Sequence, residues 1–380
     1  MSIFTDDDNT FTGLFFQDHL MKSSFASYPE IIFIDATYKL NELRMPLYLM
    51  LVVDGNGQSE IVMVFITAVE TEIAITNLVQ TFKTNNPRWA ETRVVMTDKD
   101  LTSRAVFQQE FPAASLHICL FHVLRSFRRE ITCEKLGLRS GERDHALELM
   151  TKLAYSKSES EYDDHYQSLL ESGLKSVINY YNSNWHPVRR EWVECFKSAD
   201  FTLGENTNNR LECINAKVKS VCSKYVSLSK FFDQFFAVLT CLRNERDHAT
   251  IMALVKKRVI VSDNSDDEEY AHVLTPYAFK LVCKQKEQRM KVKIAEDGTV
   301  NSSAGLLLVT AESCQCSFWN TMHLPCKHIF AVREQKSLPV FSSAVIAERW
   351  KTNYLQEAFN QKISPELKDS FQVNCRQGAC

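Results

Sequence analysis

From Ile31 onward the apolar positions fall into short runs broken by turn residues, then into helical spacings. Ile31–Asp35, Leu47–Val53 and Glu60–Val69 read as three strands. The last two are joined by Asp54-Gly55-Asn56-Gly57, a turn in which positive φ is cheap, so the three form an antiparallel meander. Glu72–Phe82 carries Ile73, Leu78, Val79 and Phe82 at helical spacing and stops at Asn85-Asn86-Pro87. Arg93–Thr97 is a fourth strand ending at Asp98. Leu101–Phe111 is a helix closed by Pro112, and Ser115–Cys119 is a fifth strand. Such alternation joins parallel strands through crossover helices, an α/β pattern.

After Phe121 the strand signal stops. Residues 123–204 read as helical, with Leu147, Met150, Leu153 and Ala154 on one apolar face, and helices resume at Glu205–Lys219 and Leu228–Val255. The acidic run Ser262–Glu269 reads as a linker. Met290–Val300 and Leu306–Thr310 read as strands around Asp297-Gly298, and Ser364–Cys380 as a loose tail.

Composition narrows the function classes. The chain has 380 residues, 45% of them hydrophobic and 24% charged, enough for a large core and two or three folded units. A net charge of −3 argues against a purely electrostatic nucleic-acid coat, so any DNA contact must come from local patches. The longest apolar run, Ile61–Val69, is about half of the ~20 residues a membrane span needs. Asp6, Asp7 and Asp8 stand where a signal sequence would be basic and then apolar. The 12 cysteines are therefore expected in a reducing, intracellular compartment, where thiols serve as ligands or core residues.

Four of these positions have metal-ligand spacing. Cys314, Cys316, Cys326 and His328 form C-x-C-x9-C-x-H, a Cys3His set suited to tetrahedral Zn²⁺. The second pair lies just ahead of a short helix at Ile329–Val332, whose N-terminus favours thiolate. Four protein ligands make the site structural, and His323 is a weaker competitor without a partner. The spacing resembles the SWIM zinc finger, and Trp319 and Pro325 also fit that pattern.

Asp35 ends the first strand, Asp98 ends the fourth, and Glu212 lies on a later helix. If strands one and four are neighbours, their ends bring Asp35 and Asp98 together. On the helix, Asn208, Glu212, Asn215 and Lys219 share one polar face. Three converging carboxylates call for divalent cations, and two such ions support phosphodiester chemistry. Taken singly, each Asp is equally a turn or cap residue, and a solvated helix face explains the polar stripe almost as well.

Four segments carry a further resemblance: Phe33-Ile34-Asp35-Ala36-Thr37-Tyr38-Lys39, Met96-Thr97-Asp98-Lys99, Cys119-Leu-Phe-His122 and Asn206-Thr-Asn-Asn-Arg-Leu-Glu212-Cys-Ile-Asn215. Together they resemble the catalytic domain of Mutator-like (MULE) transposases, and more closely animal zinc-finger SWIM domain-containing proteins derived from such elements. The resemblance covers about residues 11–345. It implies an α/β fold, with an RNase-H-like mixed sheet, a long helical insertion and a small SWIM zinc-finger domain after it. It also implies that Asp35, Asp98 and Glu212 are the DDE triad, holding Mg²⁺ or Mn²⁺ for DNA cleavage and strand transfer, beside Zn²⁺ in the finger. The alternative is a domesticated nuclear DNA- or protein-binding module without catalysis.

The expected organisation is a lead-in (1–30), an RNase-H-like core (31–122), a helical insertion (123–204) and core-completing helices with the third carboxylate (205–260). An acidic linker (261–269), the finger domain (270–345) and a C-terminal helix and tail (346–380) follow. Cys119 and His122 either begin a second metal site, with Cys195 and His186 as candidate partners, or are a core thiol and a helix-entry histidine, the reading preferred here. Basic residues gather at Arg125/Arg128/Arg129, Arg189/Arg190, Lys217/Lys219/Lys224 and Lys256/Lys257/Arg258. Arg128, Arg129, Lys217 and Lys219 are the expected DNA contacts, of the salt-sensitive phosphate kind. Trp185 and Trp192 could stack on a flipped base, but buried packing roles fit them better. DNA is the expected partner, in the nucleus; the reading leaves room for a protein partner on the finger and for a homo-oligomer, and no membrane is expected.

Overall fold

Seven strands form one mixed sheet in the computed structural model, which describes residues 1–99, 101–223, 225–256, 265–295, 298–302 and 305–362. In chain order the first part runs β1 (Ser2–Thr5), β2 (Phe11–Phe16), α1 (His19–Ser27), β3 (Ile31–Thr37), β4 (Leu47–Val53), β5 (Ser59–Thr67), α2 (Glu72–Asn85), β6 (Val94–Thr97), α3 (Leu101–Glu110) and β7 (Ser115–Ile118). The spatial order is β1-β2-β5-β4-β3-β6-β7. The β3–β6 and β6–β7 pairs are parallel and the others antiparallel.

Side-chain alternation explains why both faces are covered. Along β4, Leu47, Leu49, Leu51 and Val53 enter one core, while Tyr48, Met50 and Val52 enter the other. Ile31 and Phe33 of β3, with Val94 and Met96 of β6, face the first core. The second is closed by α1, α2 and α3 through Phe25, Leu78, Phe82 and Phe107.

Beyond β7 the chain is helical: α4 (Leu120–Glu130), α5 (Cys133–Leu136), α6 (Ser140–Ala154), α7 (Glu159–Glu171), α8 (Lys175–Asn184) and α9 (Glu194–Lys197). This insertion has its own core, in which Trp185 and Trp192 are fully buried and meet edge to face at 5.7 Å. The helices α10 (Asn209–Val221) and α11 (Leu228–Val255) return to the sheet and cover its first face with Leu211, Val218, Phe231 and Phe235. The rest comprises α12 (Ser265–Val273), α13 (Pro276–Gln288), the hairpin β8 (Thr299–Ser302) and β9 (Gly305–Leu308), α14 (Ser317–Met322), α15 (Lys327–Gln335) and α16 (Thr352–Lys362).

The structure departs from the sequence reading in four places. Residues 1–30 are no lead-in: β1 and β2 extend the sheet, with Asp6 accepting the Asp8 and Thr10 N–H groups in the turn between them. The polar turn hid a hairpin whose Phe15 is buried. Residues 265–269 belong to α12 and not to a linker, because acids stabilise a helix N-terminus and Asp267 pairs with Lys286. Met290 lies in a 3-10 turn, Arg289–Lys291, so the finger hairpin is restricted to β8 and β9. Finally, the finger segment is continuous with the main core, which Met322, Leu324 and Phe330 enter alongside Trp350. Trp350 donates its indole N–H to the Met322 carbonyl at 2.6 Å.

Gly55 marks how tightly the chain closes. A Cβ there would lie 2.2 Å from the Arg349 carbonyl oxygen, so only glycine fits. Arg349 itself is buried, bonds Glu30 at 2.8 Å and donates to the Val53 carbonyl at 2.6 Å.

Candidate functional site

The finger ligands arise from two turns meeting. Cys314 follows β9 at an isolated bridge to Val309, Cys316 caps α14, Cys326 caps α15, and His328 lies in the first turn of α15. The three Sγ atoms and a ring nitrogen of His328 all lie within 4.8 Å of one another, and all four residues are buried. His328 Nδ1 is 3.5 Å from Cys314 Sγ and 3.8 Å from Cys326 Sγ. These separations match the edges of a zinc tetrahedron, about 3.3–3.8 Å for Zn–N and Zn–S bonds of ordinary length. Without a cation the protons are unevenly shared. The hydrogen bond with Cys316 lifts the Cys314 thiol to about 12, burial lifts Cys326, and the hydrogen bond from Cys314 lowers Cys316. A divalent cation relieves that conflict by taking all three as thiolates. The donor set fits zinc.

The second cluster depends on the pleat. Asp35 continues the Ile31, Phe33 face of β3, and Asp98 the Val94, Met96 face of β6. The parallel register pairs Ile31 with Val94 and Phe33 with Met96, and two residues further it sets Asp35 level with Asp98. The same face is covered by α10, whose first turn carries Glu212. Arg210 steadies that helix by donating to the Gly57 carbonyl at 2.8 Å and pairing with Glu205 at 2.7 Å. All three carboxylates line one cleft of about 990 Å³, with Lys39, Lys99, Arg125, Arg129 and Lys219 around them. Burial first, then the Asp98 and Glu212 charges, push the Asp35 carboxyl up to about 7, while its bond from the Ala36 N–H and the Lys219 charge oppose this. Repelling oxygens facing cations at a cleft wall can accept divalent metal ions.

Comparisons with known proteins bear on the fold. The family model described as "Zinc finger SWIM domain-containing protein 1/3, RNaseH-like domain" matches residues 1–117, which include Asp35 and Asp98. Two Arabidopsis thaliana proteins are similar along nearly the whole chain. FAR-RED IMPAIRED RESPONSE 1 is 20% identical over 98% of this chain and 46% of its own length. FAR1-RELATED SEQUENCE 5 is 22% identical over 93% and 46%. The chain resembles Mutator-like transposase derivatives with a SWIM-type zinc finger, and residues 1–117 match the RNase-H-like domain of that kind. It spans about half the length of the curated relatives it matches.

The expected DNA contacts divide. Arg129 and Lys219 line the cleft, whereas Arg128 and Lys217 do not, and Lys217 pairs with Glu245 at 2.6 Å. Arg189 is bound to the His186 carbonyl within the insertion. Lys224, Lys257 and Arg258, like Asp100, Asp297, Cys375 and Cys380, lie outside the described residues. The basic residues of the cleft that the sequence reading missed are Lys39 and Lys99, while Arg125 belongs to a patch it singled out. Lys39 and Lys99 follow the strand-end acids by one to four residues, which was the available signal. Lys99 is held 3.6 Å above the Trp185 ring, so that tryptophan braces the cleft from inside the insertion and does not offer a face to a base.

Cys119 and His122 do not meet the partners expected for them. His186 Nδ1 bonds Tyr162 at 2.9 Å, and Cys195 faces a groove between the insertion and the finger. His122 instead approaches Glu212 at 3.5 Å, and the buried Cys119 thiol accepts the Asn208 N–H at 3.1 Å. Among the described residues no helix is long and apolar enough to cross a membrane.

Proposed function

We propose that this chain acts on DNA in the nucleus and cleaves phosphodiester bonds at the Asp35–Asp98–Glu212 cleft. The observation that carries the reading is the level placement of Asp35 and Asp98 under α10, inside a ring of five basic side chains. Asp35, Asp98 and Glu212 would hold Mg²⁺ or Mn²⁺. When bound, those ions supply Lewis-acid activation of water and stabilisation of the departing 3′-oxygen. Lys39, Lys99, Arg125, Arg129 and Lys219 would grip the phosphates on either side and keep the duplex in register, without reading bases. Trp185 under Lys99 fixes one of those cations in place.

Nicking of supercoiled plasmid by purified protein in Mg²⁺ or Mn²⁺ tests this. Asp98→Asn is expected to lower the rate roughly 10³-fold, several kcal/mol of barrier. If the folded, zinc-loaded wild type fails to nick, or nicks as fast as Asp98→Asn, cleavage at this cleft is refuted. A second reading, a DNA-binding module built on the inherited fold, draws on Glu212 turning toward His122 at 3.5 Å. It predicts salt-sensitive DNA retention that Lys219→Ala and Arg129→Ala weaken while Asp98→Asn does not.

A further inference from the structure

We propose that Cys119, His122 and Glu212 form a second zinc site, distinct from the finger, whose occupancy draws Glu212 away from the hard-cation cleft. Sharing Glu212, it rests on the reading of that cleft only for its consequence and not for its existence. The ligand atoms of the three residues all lie within 4.8 Å of one another. Cys119 caps α4 and His122 lies in its first turn, so one helix start presents sulfur and imidazole side by side. Glu212 comes from the first turn of α10. Backbone bonds pin the two helix starts together: Leu120 donates its N–H to the Asn206 carbonyl at 3.0 Å, and Asn208 donates its N–H to Cys119 Sγ at 3.1 Å. Burial, with the Glu212 charge, raises the Cys119 thiol, and the Asn208 N–H bond opposes that rise.

Two further atoms point to a ligand. Glu212 Oε1 and His122 Nδ1 are both buried, and neither has a hydrogen-bond partner among the described residues. Leaving such atoms unmet costs about 1–3 kcal/mol each, and the Glu212 oxygen, 3.5 Å from His122 Nε2, is the one that a cation beside that imidazole would satisfy. One sulfur, one nitrogen and one carboxylate oxygen form a borderline-soft set that selects Zn²⁺ over Mg²⁺. The His122 Nε2 to Glu212 Oε1 separation of 3.5 Å already falls in the range of tetrahedral edges, about 3.3–3.8 Å. Three protein ligands leave the fourth position to water from the cleft that His122 and Glu212 both line. Asp35 and Asp98 supply only hard oxygens and lie on the opposing strand ends. Zinc bound to Glu212 therefore competes with Mg²⁺ for that carboxylate.

The test is zinc per chain, by metal analysis of the full-length protein loaded with ZnCl₂ and desalted, with circular dichroism as the check on folding. Wild type is expected to hold two ions. His122→Asn, at a half-buried position, should keep its fold, hold one ion and bind the second at least about tenfold more weakly. Cys119→Ser should also hold one, and after Co²⁺ replacement it should lose part of the thiolate-to-cobalt absorbance. Asp98→Asn should still hold two, because that carboxylate belongs to the hard site alone. One zinc in wild type, or two in a folded His122→Asn, overturns the proposal, the latter meaning adventitious zinc only. No nicking is measured, so a failure of the cleavage reading leaves the zinc count standing.

Discussion

Two side-chain clusters of this chain, the finger set and the carboxylate cleft, are built on opposite plans. The finger takes four ligands from a stretch of 15 residues and buries all of them. The carboxylate cleft takes three residues separated by an entire helical insertion and leaves them open to a cleft of about 990 Å³. In the first, local turns make the site, and a zinc ion held there would complete the fold. In the second, the sheet register makes the site, and the fold stands although its acids repel. Structural metal is thus expected to change stability, whereas metal in the cleft should change chemistry and pH response.

That contrast is most easily broken at the finger. Removing zinc with a chelator, or making Cys316→Ser, should cost more than about 5 kcal/mol, because Met322, Leu324 and Phe330 of the finger segment enter the main core. Thermal unfolding should show one cooperative loss; separate melting of the finger, with the sheet intact, would contradict the shared core.

The cleft should behave in the opposite way. Asp35 is pushed up to about 7 from 3.8, so the folded chain binds that proton more tightly than the unfolded one. Its contribution to stability is present below about pH 4 and is lost as pH rises through 7. Asp35→Asn should therefore stabilise the cation-free protein by about 1–3 kcal/mol at pH 8 and leave it little changed at pH 4. Added Mg²⁺ or Mn²⁺ should raise the melting temperature of wild type and not of the variant. Denaturant titrations at the two pH values measure this, and equal stabilities at pH 8 would remove the argument for repulsion.

Smaller effects sharpen the picture. Lys99→Met should lower stability by about 0.5–2 kcal/mol through the lost contact with Trp185, and should weaken plasmid retention. Lys217→Ala, which breaks only an exposed pair with Glu245, should stay within about 0.5 kcal/mol and leave DNA retention unchanged. If both lysines behaved alike, the cleft would not be the phosphate track.

The same contrast explains what the sequence disclosed. The finger was legible because every ligand lies in one short segment, and Asp35 and Asp98 were legible as the ends of two strands expected to be neighbours, whereas their common face follows from the β3–β6 register. Glu212 could be placed because Asn208, Asn215 and Lys219 mark its side of the helix, and Asn215 and Lys219 do line the cleft. Other features depended on distant contacts. The β1–β2 hairpin is stabilised by pairing with β5, not by its own composition. The acids at 265–269 become helical because Lys286 and the α12 N-terminus receive them. Lys99 owes its position to a tryptophan 86 residues further along the chain, which no local pattern encodes.

One packing detail bears on how the protein is made. Helix α16 lies across α1, with Tyr354 donating its hydroxyl to the Ser27 carbonyl at 2.6 Å and meeting the Tyr28 ring at 5.7 Å. At a synthesis rate of about 5–20 residues per second, α1 emerges from the ribosome roughly 15–70 seconds before its cover. Through that interval only the patch of α1 around Ser27 and Tyr28 is unshielded, and a chaperone that engages this patch should be released only once residue 362 has cleared the exit tunnel.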